Sequence, residues 1–262
     1  MTAPVLLVFD YPGRRPEARV SDLRLEDAGY DVRQLMCPPL PRAASATAYA
    51  EDALATAGAP ADAVHAVLAY CMAAPLAQEA ASITGCPRLL LFDGEPSTLK
   101  AVETEYRGLL TSVGAPSVLP PWWSGELIEE CSDAFLTYSE RHLTESIRRS
   151  LADQADPDHA DDDCADEDEG FAPLVGSFLD WLAYLVAAHR TDHPAWGGTV
   201  VNVLSREQPE VPVWPGARTT RSVRVDTARE DLLTGTITRR LVLEALDTPR
   251  RDGHGISEEG AQ

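Results

Sequence analysis

Val64-His65-Ala66-Val67-Leu68-Ala69-Tyr70-Cys71-Met72-Ala73-Ala74-Pro75-Leu76-Ala77 decides the reading of this chain. An apolar run of strand length leads into Cys71, and a helix-like pattern follows at once. Strand, tight turn and helix in that order make a nucleophile elbow. The pattern G-x-S-x-G stands here as Ala69-Tyr70-Cys71-Met72-Ala73. The turn requires small residues two before and two after the reactive one, and alanine fits there less freely than glycine. Cys71 would then lie at a helix N-terminus, where backbone N–H groups and the helix dipole favour a thiolate. The same pentapeptide also describes a buried strand ending in an inert cysteine.

Outward from this stretch, strands and helices alternate. Val5–Phe9 is a compact apolar run suited to a buried strand, followed by the loop Asp10-Tyr11-Pro12-Gly13-Arg14-Arg15. Val20–Ala28 reads as a helix ending at Gly29, Tyr30–Leu35 as a strand, and Thr47–Ala57 as a helix stopped by Gly58. After the elbow strand Val64–Tyr70, Met72–Thr84 reads as its helix, closed by Gly85. Arg88–Phe92 is the next strand, ending at Asp93-Gly94. This alternation predicts an α/β fold with a mostly parallel central sheet and helices on both faces. Such sheets place ligands at the strand carboxyl ends, where Cys71 and Asp93 both fall.

From about residue 100 to 196 helical patterns replace the strands, as a helical insertion. Within it, 153–169 carries ten carboxylates, half of the formal net charge of −20, and reads as a mobile acidic loop. His159 and Cys164 lie inside it without the ordered spacing of metal ligands, so no metal site is expected. Phe171–Arg190 reads as a helix with Leu174, Phe178, Leu182 and Leu185 on one face, either packed in the core or lying over an acyl channel. Thr199–Leu204 and Arg221–Val225 read as strands, Asp231–Ala245 as a last helix, and 247–262 as a disordered polar tail. Residues 1–246 make one domain.

The acidic balance argues against nucleic-acid binding and against anionic membrane surfaces. No apolar run approaches the length of a membrane span, and the N-terminus reads as a strand and not as a signal peptide. Five scattered cysteines without a CxxC pair fit free thiols in the cytoplasm. No phosphate loop, zinc signature or dinucleotide fingerprint is present, so no bound cofactor is expected.

From about residue 4 to 246 this order resembles the thioesterases of the α/β-hydrolase fold that work with polyketide and non-ribosomal peptide assembly lines. The elbow G-H-S-M-G of that family looks like Ala69-Tyr70-Cys71-Met72-Ala73. The resemblance implies oxyanion-hole N–H groups from Met72 and from Tyr11 in the loop after the first strand. It implies an orienting carboxylate at Asp93 and a helical lid over residues 100–196. It also implies an acyl substrate brought on the phosphopantetheine of an acyl or peptidyl carrier protein. The family's Gly-His pair before the last helix is matched by Ala228-Arg229, so Arg229 stands where the general base belongs. Arginine stays protonated and accepts no proton. Cysteine ionises more readily than serine, and Arg229 near Cys71 would help it. Asp93 could pair with Arg229, or simply cap its own turn.

Two functional readings follow. In one, Cys71 takes the acyl group as a thioester and gives it up by transfer, cyclisation or hydrolysis. In the other, the eroded triad marks a catalytically dead protein that binds an acyl chain or carrier protein as a scaffold. His193 is a substitute base in the first reading and otherwise a solvated loop histidine. Trp122 and Trp123, with Phe178, would line a substrate channel or anchor the lid.

Overall fold

The computed structural model describes residues 3–11, 19–43, 45–58, 63–154, 167–211 and 213–247. Its centre is a six-stranded sheet of β1 (Val5–Phe9), β2 (Asp31–Gln34), β3 (Val64–Tyr70), β4 (Arg88–Phe92), β5 (Thr199–Leu204) and β6 (Thr219–Arg224). The strand order is β2-β1-β3-β4-β5-β6, and every pair is parallel. β1 and β4 are almost wholly buried. This explains why they read as unbroken apolar runs and not as alternating ones.

Alternate residues of the sheet feed two cores. Leu7, Phe9, Val67, Ala69, Leu89 and Leu91 face one side. There they meet α1 (Ala46–Thr56), α2 (Ala74–Ile83), α3 (Leu99–Ser112) and the later half of α6 (Glu167–His189). Leu6, Val8, Ala66, Leu68, Leu90 and Phe92 face the other side, against Val20, Leu23, Leu25 and α7 (Thr236–Asp247). Each leucine, valine or phenylalanine among them that is removed from water contributes about 1.5–3 kcal/mol.

The chain runs from β1 to β2 on one side and returns past β1 to β3 on the other. The carboxyl ends of β1 and β3 therefore flank the point where the strand order reverses, where open α/β sheets open a crevice. Tyr11 and Cys71 stand at that point.

Several elements differ from expectation. Val20–Ala28 is not one helix but two 3-10 turns, Val20–Leu23 and Leu25–Ala28. Arg24 between them is left-handed (φ 48°), which breaks the helical ladder. The last helix begins at Thr236, after Gly235, and only a 3-10 turn (Arg229–Asp231) precedes it. Met72 and Ala73 belong to a 3-10 turn (Cys71–Ala73) that feeds α2.

The insertion consists of α3, α4 (Gly125–Glu130), α5 (Ser132–Gln154) and α6. Of the acidic run, 153–154 end α5, 167–169 begin α6, and 155–166 lie outside the described residues, as do Cys164 and the tail after 247. Leu174 is 43% exposed, because the early turns of α6 use Val175 and Leu179 to pack on Ile147 of α5. Gly170–His189 is, by length and composition, apolar enough to cross a membrane, contrary to the sequence expectation. In the fold it is a core helix, with Leu182, Tyr184 and Leu185 buried.

Candidate active site

Cys71 is left-handed (φ 56°), a conformation that costs a non-glycine residue of order 1–3 kcal/mol. The surrounding structure enforces it. β3 arrives fully paired, Ala69 and Ala73 are completely buried, and Pro75 in the first turn of α2 sets the departing helix. The expected elbow is therefore present in its backbone, and its small positions leave no space for larger side chains.

Three side chains from three other strand ends gather around the thiol. Arg229, in the 3-10 turn after β6, donates through Nη2 to Cys71 Sγ at 2.7 Å. The thiol in turn donates to Glu95 Oε1 at 3.2 Å. Glu95 Oε2 accepts from Gln208 Nε2 at 3.2 Å, and Gln208 Oε1 accepts from Arg229 Nη1 at 3.5 Å. Cys71, Glu95, Gln208 and Arg229 thus form a closed polar ring. Tyr70 supports Arg229 from below: its hydroxyl accepts from Nε at 3.1 Å, and the guanidinium carbon lies 5.6 Å from its ring centre.

Asp93 lies beneath the ring, fully buried and left-handed (φ 48°). It accepts from the Ser205 backbone N–H at 2.7 Å and hydroxyl at 2.8 Å, and Arg229 Nε stands 4.0 Å away. The ion pair foreseen between Asp93 and Arg229 is thus long, and Ser205 is the closer partner. Asn202 makes a two-way clamp on Gly94: it accepts from the Gly94 N–H at 3.1 Å and donates to its carbonyl at 3.2 Å. A side chain at Gly94 would meet Leu91 Cβ at 2.8 Å, so only glycine lets the chain pass between Asp93 and Glu95.

Burial pushes the Cys71 thiol up to about 12, although Arg229 pulls the other way; Glu95 adds to the rise. The Met72 backbone N–H faces the sulfur and favours its ionised form. Burial also raises Asp93, against the lowering effect of Ser205 and Arg229. Burial works against the charge of Arg229, but Cys71, Tyr70 and Glu95 outweigh it and hold the guanidinium protonated.

The resting thiol is therefore neutral. In Glu95→Gln, where no carboxylate stands beside the sulfur, alkylation of Cys71 by iodoacetamide should rise about tenfold per pH unit well past the range where an ordinary cysteine levels off, near 8.5. Mass mapping of Cys71 after timed labelling checks this, and a plateau in the ordinary range would contradict it.

The remaining candidates lie in different surroundings. Tyr11 packs its ring on Trp181 (centroids 4.5 Å apart) and Tyr184 (5.1 Å), while Pro12 and Gly13 of its loop lie outside the described residues. Trp122 and Trp123 join an aromatic cluster with Tyr106, Phe135 and His142 inside the helical insertion. Phe178 is 4% exposed within the core. His193 is drawn to Gln78 Oε1 (3.3 Å) and Trp214, about 10 Å along α2 from Cys71. His65 lies at the opposite end of β3, between Arg88 and the Leu246 carbonyl.

Glu95, Gln208, Asn202 and Ser205 were not singled out from the sequence. Asn202, a polar residue inside the apolar run Thr199–Leu204, was a readable signal. Glu95 and Gln208 stand in loops and carry no periodicity.

The sequence matches no known family model and no curated protein. Solved structures share its architecture. The chain aligns over 93% of its length with 90% of a protein described as an epoxide hydrolase from Pseudomonas aeruginosa, at 17% identity and a TM-score of 0.51. It aligns over 94% of its length with a four-domain nonribosomal peptide synthetase at 13% identity and a TM-score of 0.50, spanning 19% of that chain. A further alignment covers 94% of the chain and 96% of the NocB thioesterase domain, solved in covalent complex with a fluorophosphonate nocardicin G analogue, at 16% identity and a TM-score of 0.49. Identities this low speak to architecture alone, and joined to the all-parallel sheet they establish that the chain has the α/β-hydrolase fold.

Proposed function

We propose that the protein processes acyl groups delivered as thioesters, taking the acyl group onto Cys71 and releasing it by transfer, cyclisation or hydrolysis. The carrying observation is Cys71 itself, held left-handed at the end of β3 with a guanidinium 2.7 Å from its sulfur. A strained backbone maintained at the carboxyl edge of the sheet is the usual mark of a functional residue. Attack of the sulfur on a thioester carbonyl forms a new thioester and expels the carrier's thiol. Backbone N–H groups of Met72 and Tyr11 would receive the oxyanion. Asp93, held by Ser205, fixes the floor on which Arg229 rests.

The acyl donor we infer is a phosphopantetheine arm on an acyl or peptidyl carrier protein, in a polyketide or non-ribosomal peptide pathway. The likeness in fold to a nonribosomal peptide synthetase supports that setting. An amine or thiol is intrinsically a better nucleophile toward a thioester than water, so transfer or cyclisation is favoured over hydrolysis.

Intact-mass measurement after incubation with acyl-N-acetylcysteamine thioesters tests this. The expected result is an acyl adduct on the wild type and none on Cys71→Ala. Absence of an adduct on both, with Cys71 inert to iodoacetamide, would overturn it. That outcome would leave the second reading, a catalytically silent acyl- or carrier-binding scaffold. The observation favouring that reading is the 5% exposure of Cys71.

A further inference from the structure

We propose that Glu95 is the general base of this site, receiving the Cys71 proton directly; the proposal rests on the acyl-thioester reading above. The first argument is distance. Glu95 Oε1 is 3.2 Å from Sγ, and the Glu95 backbone N–H is turned to the Cys71 carbonyl at 3.4 Å, so loop and elbow are joined at two points. A base must lie within hydrogen-bond reach of the proton that it takes.

The second argument is the direction of the ring's hydrogen bonds. With a thiol and a carboxylate, Sγ–H donates to Glu95, Gln208 Nε2 donates to Glu95 Oε2, and Arg229 donates to both Gln208 and sulfur. Move the proton across, and Glu95 O–H donates back to a thiolate that still accepts from Arg229. Gln208 and Arg229 keep every bond they had. Both protonation states are thus accommodated by one arrangement of heavy atoms, and the transfer requires no rearrangement of the site. Arg229 Nη2 lies 3.9 Å from Glu95 Oε1, so the cation faces the negative charge on whichever partner carries it. Gln208 does for Glu95 what an orienting carboxylate does for a histidine.

The step balances. Glu95 takes the thiol proton as sulfur attacks the thioester carbonyl. The carbonyl–sulfur bond of the donor breaks, and Glu95 returns the proton to the departing thiolate. The products are acyl-Cys71 and a free carrier thiol. The titratable and charged groups facing Glu95 are Cys71 after β3, Asp93 after β4 and Arg229 after β6.

The test follows the rate of Cys71 acylation by acyl-N-acetylcysteamine thioesters, read by intact mass across pH, in wild type, Glu95→Gln and Glu95→Ala. The glutamine variant should acylate about 10²–10⁴-fold more slowly near neutral pH. Its rate should climb about tenfold per pH unit, following thiolate alone, where the wild type has levelled off. Acetate should restore part of the rate in Glu95→Ala, and chloride at equal ionic strength should not. A glutamine variant with the wild-type rate and profile would overturn Glu95 as base and leave Cys71 as acyl acceptor. A slow variant with a wild-type profile and no acetate rescue would make Glu95 a positioning residue and equally overturn the proposal. No adduct on the wild type would remove the acyl-thioester reading and this one with it.

Discussion

Replacing Gln78 by leucine should lower the stability of the protein by about 3–6 kcal/mol, a large share of the 5–15 kcal/mol typical of a folded domain. Gln78 lies fully buried on α2, two turns beyond the elbow. Its Nε2 donates to the carbonyls of Pro194 (3.0 Å) and Pro215 (2.9 Å). Its Oε1 accepts from Trp214 Nε1 at 2.8 Å. One amide thus binds the segment leaving α6 and the connection from β5 to β6 to the helix that carries Cys71. Leucine fills about the same volume but strands a buried indole N–H and two part-buried carbonyls, each of which costs about 1–3 kcal/mol when dry and less where water reaches it. Trp214→Phe removes the indole donor, worth about 1 kcal/mol in hydrogen bonding, and adds the cost of the cavity left by part of a fully buried ring. Denaturant unfolding of both variants checks the order and size of the effects.

Arg229→Met should destabilise the protein by roughly 2–4 kcal/mol near neutral pH, with the loss fading as the solution is acidified. The guanidinium pairs at long range with Asp93 (4.0 Å) and Glu95 (3.9 Å), and Asp93 has no solvent to fall back on. Asp93 is already raised by burial, and Arg229 is one of the influences holding it down. Without Arg229 the folded protein prefers protonated Asp93 more strongly. A group raised in the fold gives its stability at low pH and withdraws it as pH climbs through its folded value. Wild type and variant should therefore converge below the ordinary aspartate range and separate above it. Denaturation midpoints measured from acid to neutral pH give the answer, and a pH-independent difference would mean that lost packing of the arginine stem, not lost charge, is responsible.

The elbow was legible because a strand buried on both faces writes itself as an apolar run, and because a tight turn tolerates only small neighbours. Arg229 was legible as an arginine where the resemblance places a histidine. Glu95 was not, since its role comes from a glycine-permitted passage past Leu91 and from Asn202 on the neighbouring strand β5, far off in the chain, which no local pattern encodes. Gln78 was hidden in an alanine-rich helix whose partners are proline carbonyls more than a hundred residues on. The misreading of Val20–Ala28 has a local cause. Its residues have ordinary helical spacing, but Arg24 adopts the left-handed region and Leu23 and Leu25 both turn inward onto the second core.

The ring around Cys71 draws one residue from beyond each of four successive strands, and 158 residues separate Cys71 from Arg229. A chain emerging from the ribosome can pair β1 to β4 and bury most of its apolar surface long before Arg229 has been made. The site therefore assembles only once the chain beyond β6 has been made and the edge strand β6 has docked. Until then the thiol has neither its cation nor its full cover, so a nascent or edge-frayed chain carries a cysteine chemically unlike that of the finished protein.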